Sequence, residues 1–290
     1  MASAEAFVSR AQYEECYTDA QPSPSGTSVQ FYARSAEFLQ AACKAILLRD
    51  AAQVPAGIDI NFGCSAPHIR RSGGGSAWSS NPAGAAELVA AAKAAWPGAL
   101  SAKVRMGPDD DYDRFLVFCS GLADAGIDFL TVHPRTDDQK FKRSPKYEYI
   151  GWLSRDLSVP IVGNGDLTDA DSVRSLMAQQ APYAVMIGRE AVRRPWIFGL
   201  LRTQLSGAGQ VEDQDRLNIG LRFLELAELE LPLPWRLESA RRFFSYYCDT
   251  LSFAHHIKYK IINSPSLKEM RDTLVEYFVQ VPVDRTLKVS

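Results

Sequence analysis

Apolar and β-branched residues gather in six short runs along the chain: SVQFY from Ser28, GIDINFG from Gly57, LSAKVRMG from Leu100, DFLTVHP from Asp128, VPIVGNGD from Val159 and YAVMIGR from Tyr183. They show little period-2 alternation, which suits strands buried on both faces of a parallel sheet. Helical signals fill the intervals. Ser35 precedes AEFLQAACKAILL, Asn81-Pro82 reads as cap and first turn of a helix ending at Trp96-Pro97-Gly98, and Thr168 has Asp171 three residues on. Strand and helix alternate six times, which predicts an α/β fold with a parallel sheet. After about Gly207 and the GAGQ linker the pattern changes to LNIGLRFLELAELELP, LESARRFFSYYCDTL and SLKEMRDTLVEYFVQ, apolar at helical spacing with no strand signal.

A doubly wound sheet and a closed (β/α)8 barrel both satisfy this alternation, and the polar residues separate them. Gln30, Asn61 with Cys64, Lys103 with Arg105, His133 with Arg135, Asn164 with Asp166, and Gly188 with Arg189 each fall at or just past the end of a different strand. A TIM-type barrel brings all six groups to one mouth, whereas an open sheet concentrates function at a single switch point. The expected organisation is therefore a barrel over residues 1–206 and a small all-α domain over 207–290. If VGNGD and IGR are the last two strands of eight, SVQFY is the third, yet only 27 residues precede Ser28. Two βα units need about 25 residues each, so the barrel is expected to lack its first strand, its first helix and part of its second strand.

With 290 residues, 46% hydrophobic and 23% charged, the composition excludes disordered, collagen-like and coiled-coil chains. The formal net charge of -2 leaves any nucleic-acid partner to a local basic face. Arg241, Arg242, Lys258 and Lys260, near Tyr246, Tyr247, His255 and His256, form one candidate, although a solvated face around an aromatic core fits them as well. Five scattered cysteines without a CxxC pair fit neither a disulfide framework nor a zinc site. No run of about 18 apolar residues is present, and the expected location is the cytoplasm, with no membrane and no metal partner.

The chemistry gathers around GIDINFGCSAP. A strand running into Gly63-Cys64 presents a thiol at the mouth, and free thiols are mostly protonated at neutral pH, able to give a proton as readily as to attack. Cys16, Cys43, Cys119 and Cys248 lie on helical patterns and read as core. RRSGGGSAWSSNP follows, with three glycines that let a loop approach a flat ligand. Lys103 and Arg105 alternate along one strand and point the same way, so they need an anionic partner: a ligand phosphate, an electron-rich flavin, or salt bridges to Asp59 or Asp166. His133 can bind a phosphate, hydrogen-bond a ring or serve structurally. VGNGD and IGR put backbone N–H groups on glycine turns before helices, an anion-binding geometry.

The ordered set VQFYAR, DINFGC, SGGGSAW, KVRMG, HPRTDDQKF, VGNGDL and MIGREAVRRPWIF resembles the tRNA-dihydrouridine synthases over nearly the whole chain. That resemblance implies an FMN-dependent barrel with a helical tRNA-binding domain, reducing uridine to 5,6-dihydrouridine with NADPH. It implies FMN contacts at Gln30, Lys103 and His133, and a phosphate end at Asn164, Asp166, Gly188 and Arg189. Asn61 would flank the target base, Arg105 and Arg135 would serve the substrate side, and the Cys64 thiol would protonate C5. Three features depart from the family pattern: proline stands at Pro67 instead of directly after the cysteine, Pro134 replaces the usual glycine after the histidine, and no Ala-Pro-Met-type first strand is present. The last departure keeps two other readings open, an inactive RNA-binding remnant and an FMN barrel oxidoreductase acting on a small molecule.

Overall fold

The computed structural model describes residues 1–9, 14–207 and 212–288; all of the GAGQ linker but Gly207 falls outside them. Seven parallel strands form one sheet: β1 (Ala2–Ser3), β2 (Ser28–Tyr32), β3 (Gly57–Phe62), β4 (Ala99–Arg105), β5 (Phe129–His133), β6 (Ile161–Asn164) and β7 (Ala184–Met186). Their spatial order is their chain order. A doubly wound sheet reverses order at a switch point, so that alternative is excluded. Right-handed crossovers between sequential strands set the helices on one face and leave the other face lining the interior, the plan of a TIM-type barrel. The first two-residue strand pairs with Phe31 and Tyr32, at the C-terminal end of β2.

The strands do alternate, contrary to the sequence reading. Ile58, Ile60 and Phe62 in β3 and Leu100, Ala102 and Val104 in β4 are buried on the helical side, where Phe62 meets Phe118 of helix Tyr112–Asp124 edge-on at 5.8 Å. Asp59, Asn61, Ser101, Lys103 and Arg105 occupy the alternate positions. The reason is chemical: the interior face holds hydrogen-bonding and cationic side chains in place of aliphatic ones. Register aligns them in rows, with Gln30, Asp59 and Ser101 in one, Asn61, Lys103 and Thr131 in the next, and Arg105 with His133 nearest the mouth.

Local signals explain the helix starts. Asn81 caps helix Pro82–Ala95 by accepting from the Gly84 N–H at 3.1 Å. Ser35 occupies the cap position of helix Ala36–Leu47 without a side-chain cap bond. The cap before helix Ala170–Gln180 is Asp169, one residue later than expected. Asp169 accepts from the Ser172 N–H at 2.8 Å, while the Ser172 hydroxyl accepts from the Asp169 N–H at 3.2 Å, closing a reciprocal box.

The described chain forms two compact units, Met1–Asp166 with Ser175–Met186, and Leu167–Arg174 with Ile187–Ser290. In the second, helices Arg216–Glu230, Leu233–Tyr247, Ala254–Ile262 and Leu267–Gln280 share a core of Phe244, Tyr247, Ile261, Met270 and Leu274, which Trp196 joins. Ala254–Ile262 carries its apolar contacts on Ile257 and Ile261 alone, too few for a periodic signal. A two-residue antiparallel pair, Gln214–Asp215 with Thr286–Leu287, corrects the all-helical expectation; strands this short leave no propensity signal. Among the described residues no helix is long and apolar enough to cross a membrane. Phe244 is fully buried and packs edge-on against Phe223, Phe243 and Tyr247. Replacing it by alanine removes that packing and leaves a cavity, so Phe244→Ala is expected to lower unfolding free energy by about 3–5 kcal/mol in urea titrations.

Candidate active site at the strand C-terminal ends

A chain of side-chain hydrogen bonds runs from the sheet interior to the thiol loop. The buried Asp59 carboxylate accepts from the Ser101 hydroxyl and from Gln30 Nε2, each at 2.6 Å. Gln30 Oε1 then accepts from Asn61 Nδ2 at 3.1 Å. Asn61 Oδ1 in turn accepts the Cys64 N–H at 2.9 Å and the Gly63 N–H at 3.2 Å. Each amide is thus oriented by its neighbour, and the turn carrying Cys64 is held by a side chain rooted in β3. The glycine loop braces it from the other side. Ser76 N–H donates to the Cys64 carbonyl at 3.0 Å. Gly75, at φ +58°, comes so close that a Cβ there would lie 2.5 Å from that oxygen, which only glycine avoids.

Lys103 stands in the row above Asp59. Burial pulls its ammonium down to about 8, aided by Arg105 and resisted by Asp59. Among the described residues no salt bridge reaches Lys103: Asp59 is taken by Gln30 and Ser101, and Asp166 by Arg135. Arg105 donates to the Lys140 carbonyl at 2.5 Å and to the Ser65 hydroxyl at 3.4 Å, with its guanidinium 5.7 Å from the Phe141 ring. Asp59 acts on Lys103 through space, with no salt bridge between them.

His133 lies under Phe141, the rings nearly parallel at 6.3 Å. Its Nε2 faces Arg135 Nη1 at 3.2 Å. A guanidinium only donates, so Nε2 accepts and the imidazole is neutral with its proton on Nδ1. Burial, then Lys103, Arg105 and Arg135, hold its pKa down to about 3. Arg135 is itself enclosed, gripping Asp166 with both terminal nitrogens and donating Nε to the Arg143 carbonyl at 2.5 Å. It orients His133 and the following loop and has little surface left for a ligand. Asp166, with φ +43° after Gly165 at φ +129°, makes a tight turn under Tyr147, whose hydroxyl donates to the Gly165 carbonyl at 2.5 Å. Asn164 Nδ2 donates to the Met186 carbonyl at 2.8 Å, tying β6 to β7.

Gln30, Asn61, Cys64, Lys103, Arg105, His133, Arg135, Asn164 and Asp166 thus all belong to the first unit. Gly188 and the exposed Arg189 belong to the second, at the start of the five-residue helix Arg189–Arg193. Asp59 and Ser101 carry more than the sequence reading gave them; their signal is spacing, two residues before Asn61 and Lys103 on the same strand faces. Cys43, Cys119 and Cys248 are buried, with burial pushing Cys43 and Cys248 up to about 12, while Cys16 is half-buried. In the helical unit Tyr247 is core, donating its hydroxyl to the Arg216 carbonyl, and Lys258 is paired with Asp249. Arg242, His255, His256 and Lys260 remain exposed.

A sequential parallel sheet with an aliphatic outer face and a cationic, amide-lined mouth defines a barrel-type α/β protein whose site lies at its strand C-termini. Residues 1–278 match the family model described as dihydrouridine synthase, and the chain belongs to that family. A probable tRNA-dihydrouridine synthase 1 of Synechocystis sp. is 26% identical over 260 residues, 87% of this chain and 71% of that one. The tRNA-dihydrouridine synthase B of Proteus vulgaris is 38% identical over 142 residues, 49% of this chain and 44% of its own length, so the chain matches less than half of that relative. Among solved structures, a 2-naphthoyl-CoA reductase complex aligns with a TM-score of 0.44 at 11% identity, over 59% of this chain and 29% of that one.

The His133 environment has a consequence for stability. Its folded pKa of about 3 lies below the ordinary 6.5, so between those values the unfolded chain binds the extra proton. The stabilisation is fully present above 6.5 and drains as pH falls toward 3. In urea midpoints measured across that window, the advantage of the wild type over His133→Asn is expected to shrink steadily on acidification.

Proposed function

We propose that the chain is a cytoplasmic tRNA-dihydrouridine synthase that uses FMN, with NADPH as reductant, to reduce the C5–C6 double bond of a uridine in tRNA. The observation that carries this reading is the thiol of Cys64 on a turn fixed from two sides, by Asn61 and by Ser76, beside a buried cation that no salt bridge reaches among the described residues. The mouth fits a flavin. Lys103 needs an anionic or electron-rich partner in a poorly solvated place. Gln30 and Asn61 offer oriented amides, and neutral His133 offers a ring without adding charge. Gln30, Lys103 and His133 would hold the isoalloxazine, ribityl and phosphate portions, and within the same unit Asn164 and the Asp166 turn would form the phosphate end.

When bound, FMN supplies the hydride that the uracil ring takes at C6. The protein supplies position and a proton. Asn61 orients the turn so that the Cys64 thiol can deliver its proton to C5, and Arg105, cross-linking Ser65 to the Lys140 carbonyl, keeps the facing loop in place. Arg135 acts by fixing His133. The helical unit, through exposed Arg242 and Lys260, is the proposed surface for the tRNA backbone, as the expected 207–290 domain was.

Purified protein is expected to show oxidised-flavin bands and to form dihydrouridine in unmodified tRNA when given NADPH. Cys64→Ala should keep the bands and lose about 10²-fold or more of product rate, the usual worth of a placed proton donor. A colourless protein that binds tRNA favours the remnant reading, and flavin turnover on a small molecule without RNA favours the oxidoreductase one. Arg242→Ala with Lys260→Ala should weaken tRNA binding and flatten its log–log salt slope by about 1.5–2; an unchanged slope returns these residues to a solvated face.

A further inference from the structure

The side-chain relay under the thiol turn has a direction, and each of its ends fixes that direction separately. At the upper end Asn61 Oδ1 accepts two backbone N–H groups, from Cys64 at 2.9 Å and from Gly63 at 3.2 Å, which spends both lone pairs of the amide oxygen. At the lower end stands the buried Asp59, whose carboxylate accepts from the Ser101 hydroxyl and from Gln30 Nε2, with Lys103 favouring its charged form. An ionised carboxylate has no proton to give. Gln30 therefore faces Asp59 with its nitrogen and turns its oxygen to Asn61 Nδ2, 3.1 Å away. The two ends agree, and every N–H in the series is given downward, from the turn toward Asp59.

That direction decides what the amides have left for a ligand. Gln30 keeps one N–H and one lone pair, whereas Asn61 keeps one N–H and no lone pair. Asn61 is thus a donor only, on the strand that runs into the Cys64 turn. A pyrimidine whose C5 meets the thiol brings the group on C4, the next ring atom, to the same neighbourhood. In uracil that group is a carbonyl, which takes an N–H. In cytosine it is an amine, and two donors repel. Asn61 cannot turn round to suit the amine. Turning it sets its nitrogen against the Gly63 and Cys64 N–H groups and its oxygen against Gln30 Oε1; turning Gln30 as well sets that oxygen against the Asp59 carboxylate. Away from bulk water each such mismatch is costly, and here they come together.

We infer that Asp59 is a positioning residue for base selection: as the acceptor-only root of the relay it keeps Asn61 a donor toward the substrate, so that the site takes uridine and refuses cytidine. The inference rests on the reading of the chain as a uridine-reducing enzyme and adds the device that tells uridine from the other pyrimidine. Asp59 acts here through Gln30 and touches no substrate. The relay is reversed by moving its carboxylate from one end to the other. In Asp59→Asn with Asn61→Asp the introduced amide donates to Gln30 Oε1, and Gln30 Nε2 donates to the introduced carboxylate. That carboxylate still accepts the Gly63 and Cys64 N–H groups. Net charge is unchanged, and what is left beside the thiol is an acceptor. In Asn61→Asp alone, Gln30 lies between two carboxylates and has to turn its oxygen to one of them.

The test has one arm without ligand and one with RNA, both on the full chain. In urea unfolding Asn61→Asp is expected to lower the midpoint by about 1 M, and adding Asp59→Asn should recover most of that loss. The second arm measures Kd, with FMN added, for fluorescein-labelled oligoadenylate strands that carry one uridine or one cytidine. Wild type is expected to bind the uridine strand about tenfold more tightly, and the double variant should bind the cytidine strand more tightly. A double variant no more stable than Asn61→Asp overturns the inference, because Asp59 then does not set the direction. Equal binding of the two strands by the wild type overturns it too, as does a double variant that regains its midpoint and still prefers uridine. Dihydrouridine formation in tRNA is assayed separately. A relay that reverses in a protein forming no dihydrouridine leaves Asp59 its role and removes the catalytic reading; dihydrouridine formed without a pyrimidine preference does the opposite.

Discussion

The first unit depends on one buried carboxylate. Burial raises the pKa of Asp59, and the hydrogen bonds from Gln30 and Ser101, with Lys103 above, act against that rise. Its two oxygens are each used once, by β2 and by β4, so a single side chain on β3 couples three adjacent strands at the same level. The coupling does not stop at the strands. Because Gln30 is held by Asp59, its carbonyl oxygen has one direction left, toward Asn61, and Asn61 passes the constraint to the Cys64 turn. A hydrogen-bond series of this kind, away from bulk water, is stiffer than its members separately, and breaking it strands a buried polar group at every link. The position of the thiol is set two residues down the strand from where the turn begins.

Charge sets the second constraint. Lys103, Arg105 and Arg135 crowd one rim, where Asp59 is hydrogen-bonded to Gln30 and Ser101, Asp166 is gripped by Arg135, and Asp137 faces Arg105 and Arg70. The surplus positive potential has opposite effects on its neighbours. Added to burial, the larger cause of both shifts, it drives His133 to the neutral form and lowers the Lys103 ammonium itself, while making the mouth receptive to an anion. His133 at about 3 therefore cannot serve as an imidazolium acid near neutrality. In the proposed reaction that leaves proton delivery to a group on another loop, and Cys64 is the nucleophilic or acidic side chain that the Asn61 and Ser76 contacts fix at the mouth.

Much of this was legible in the sequence because it is written in strand ends. Six of the seven strands and the two caps at Ser35 and Asn81 follow from local pattern, and the run of polar residues after each strand marks the mouth before any pairing is known. What stayed hidden is what depends on pairing. Asp59 reads as a possible salt-bridge partner, and only the register reveals that its neighbours are Gln30 and Ser101, 29 and 42 residues away. Tyr247 reads as a base-stacking aromatic or as part of an aromatic core, and only its packing against Phe243 and Phe244 decides for the core. Arg135 reads as a free cation on a loop, and its enclosure by Asp166 and the Arg143 carbonyl follows from a loop that folds back on itself.

The glycine run had the weakest signal and has the sharpest consequence. Gly75 is the point where the loop touches Cys64, and the next residue both bonds the Cys64 carbonyl through its N–H and turns its hydroxyl toward Asp137. Ser76 therefore ties the thiol turn to the loop after β5, with its N–H on the Cys64 carbonyl and its hydroxyl beside the Asp137 carboxylate, whose own N–H is anchored to the Gly107 carbonyl after β4. The short helix Gly75–Ser80 thus braces the thiol with its first residues and is itself braced by two neighbouring loops. The backbone that aims the proton donor of the proposed reaction is held by three loops at once, and a shift of any of them would carry the thiol off its line to C5.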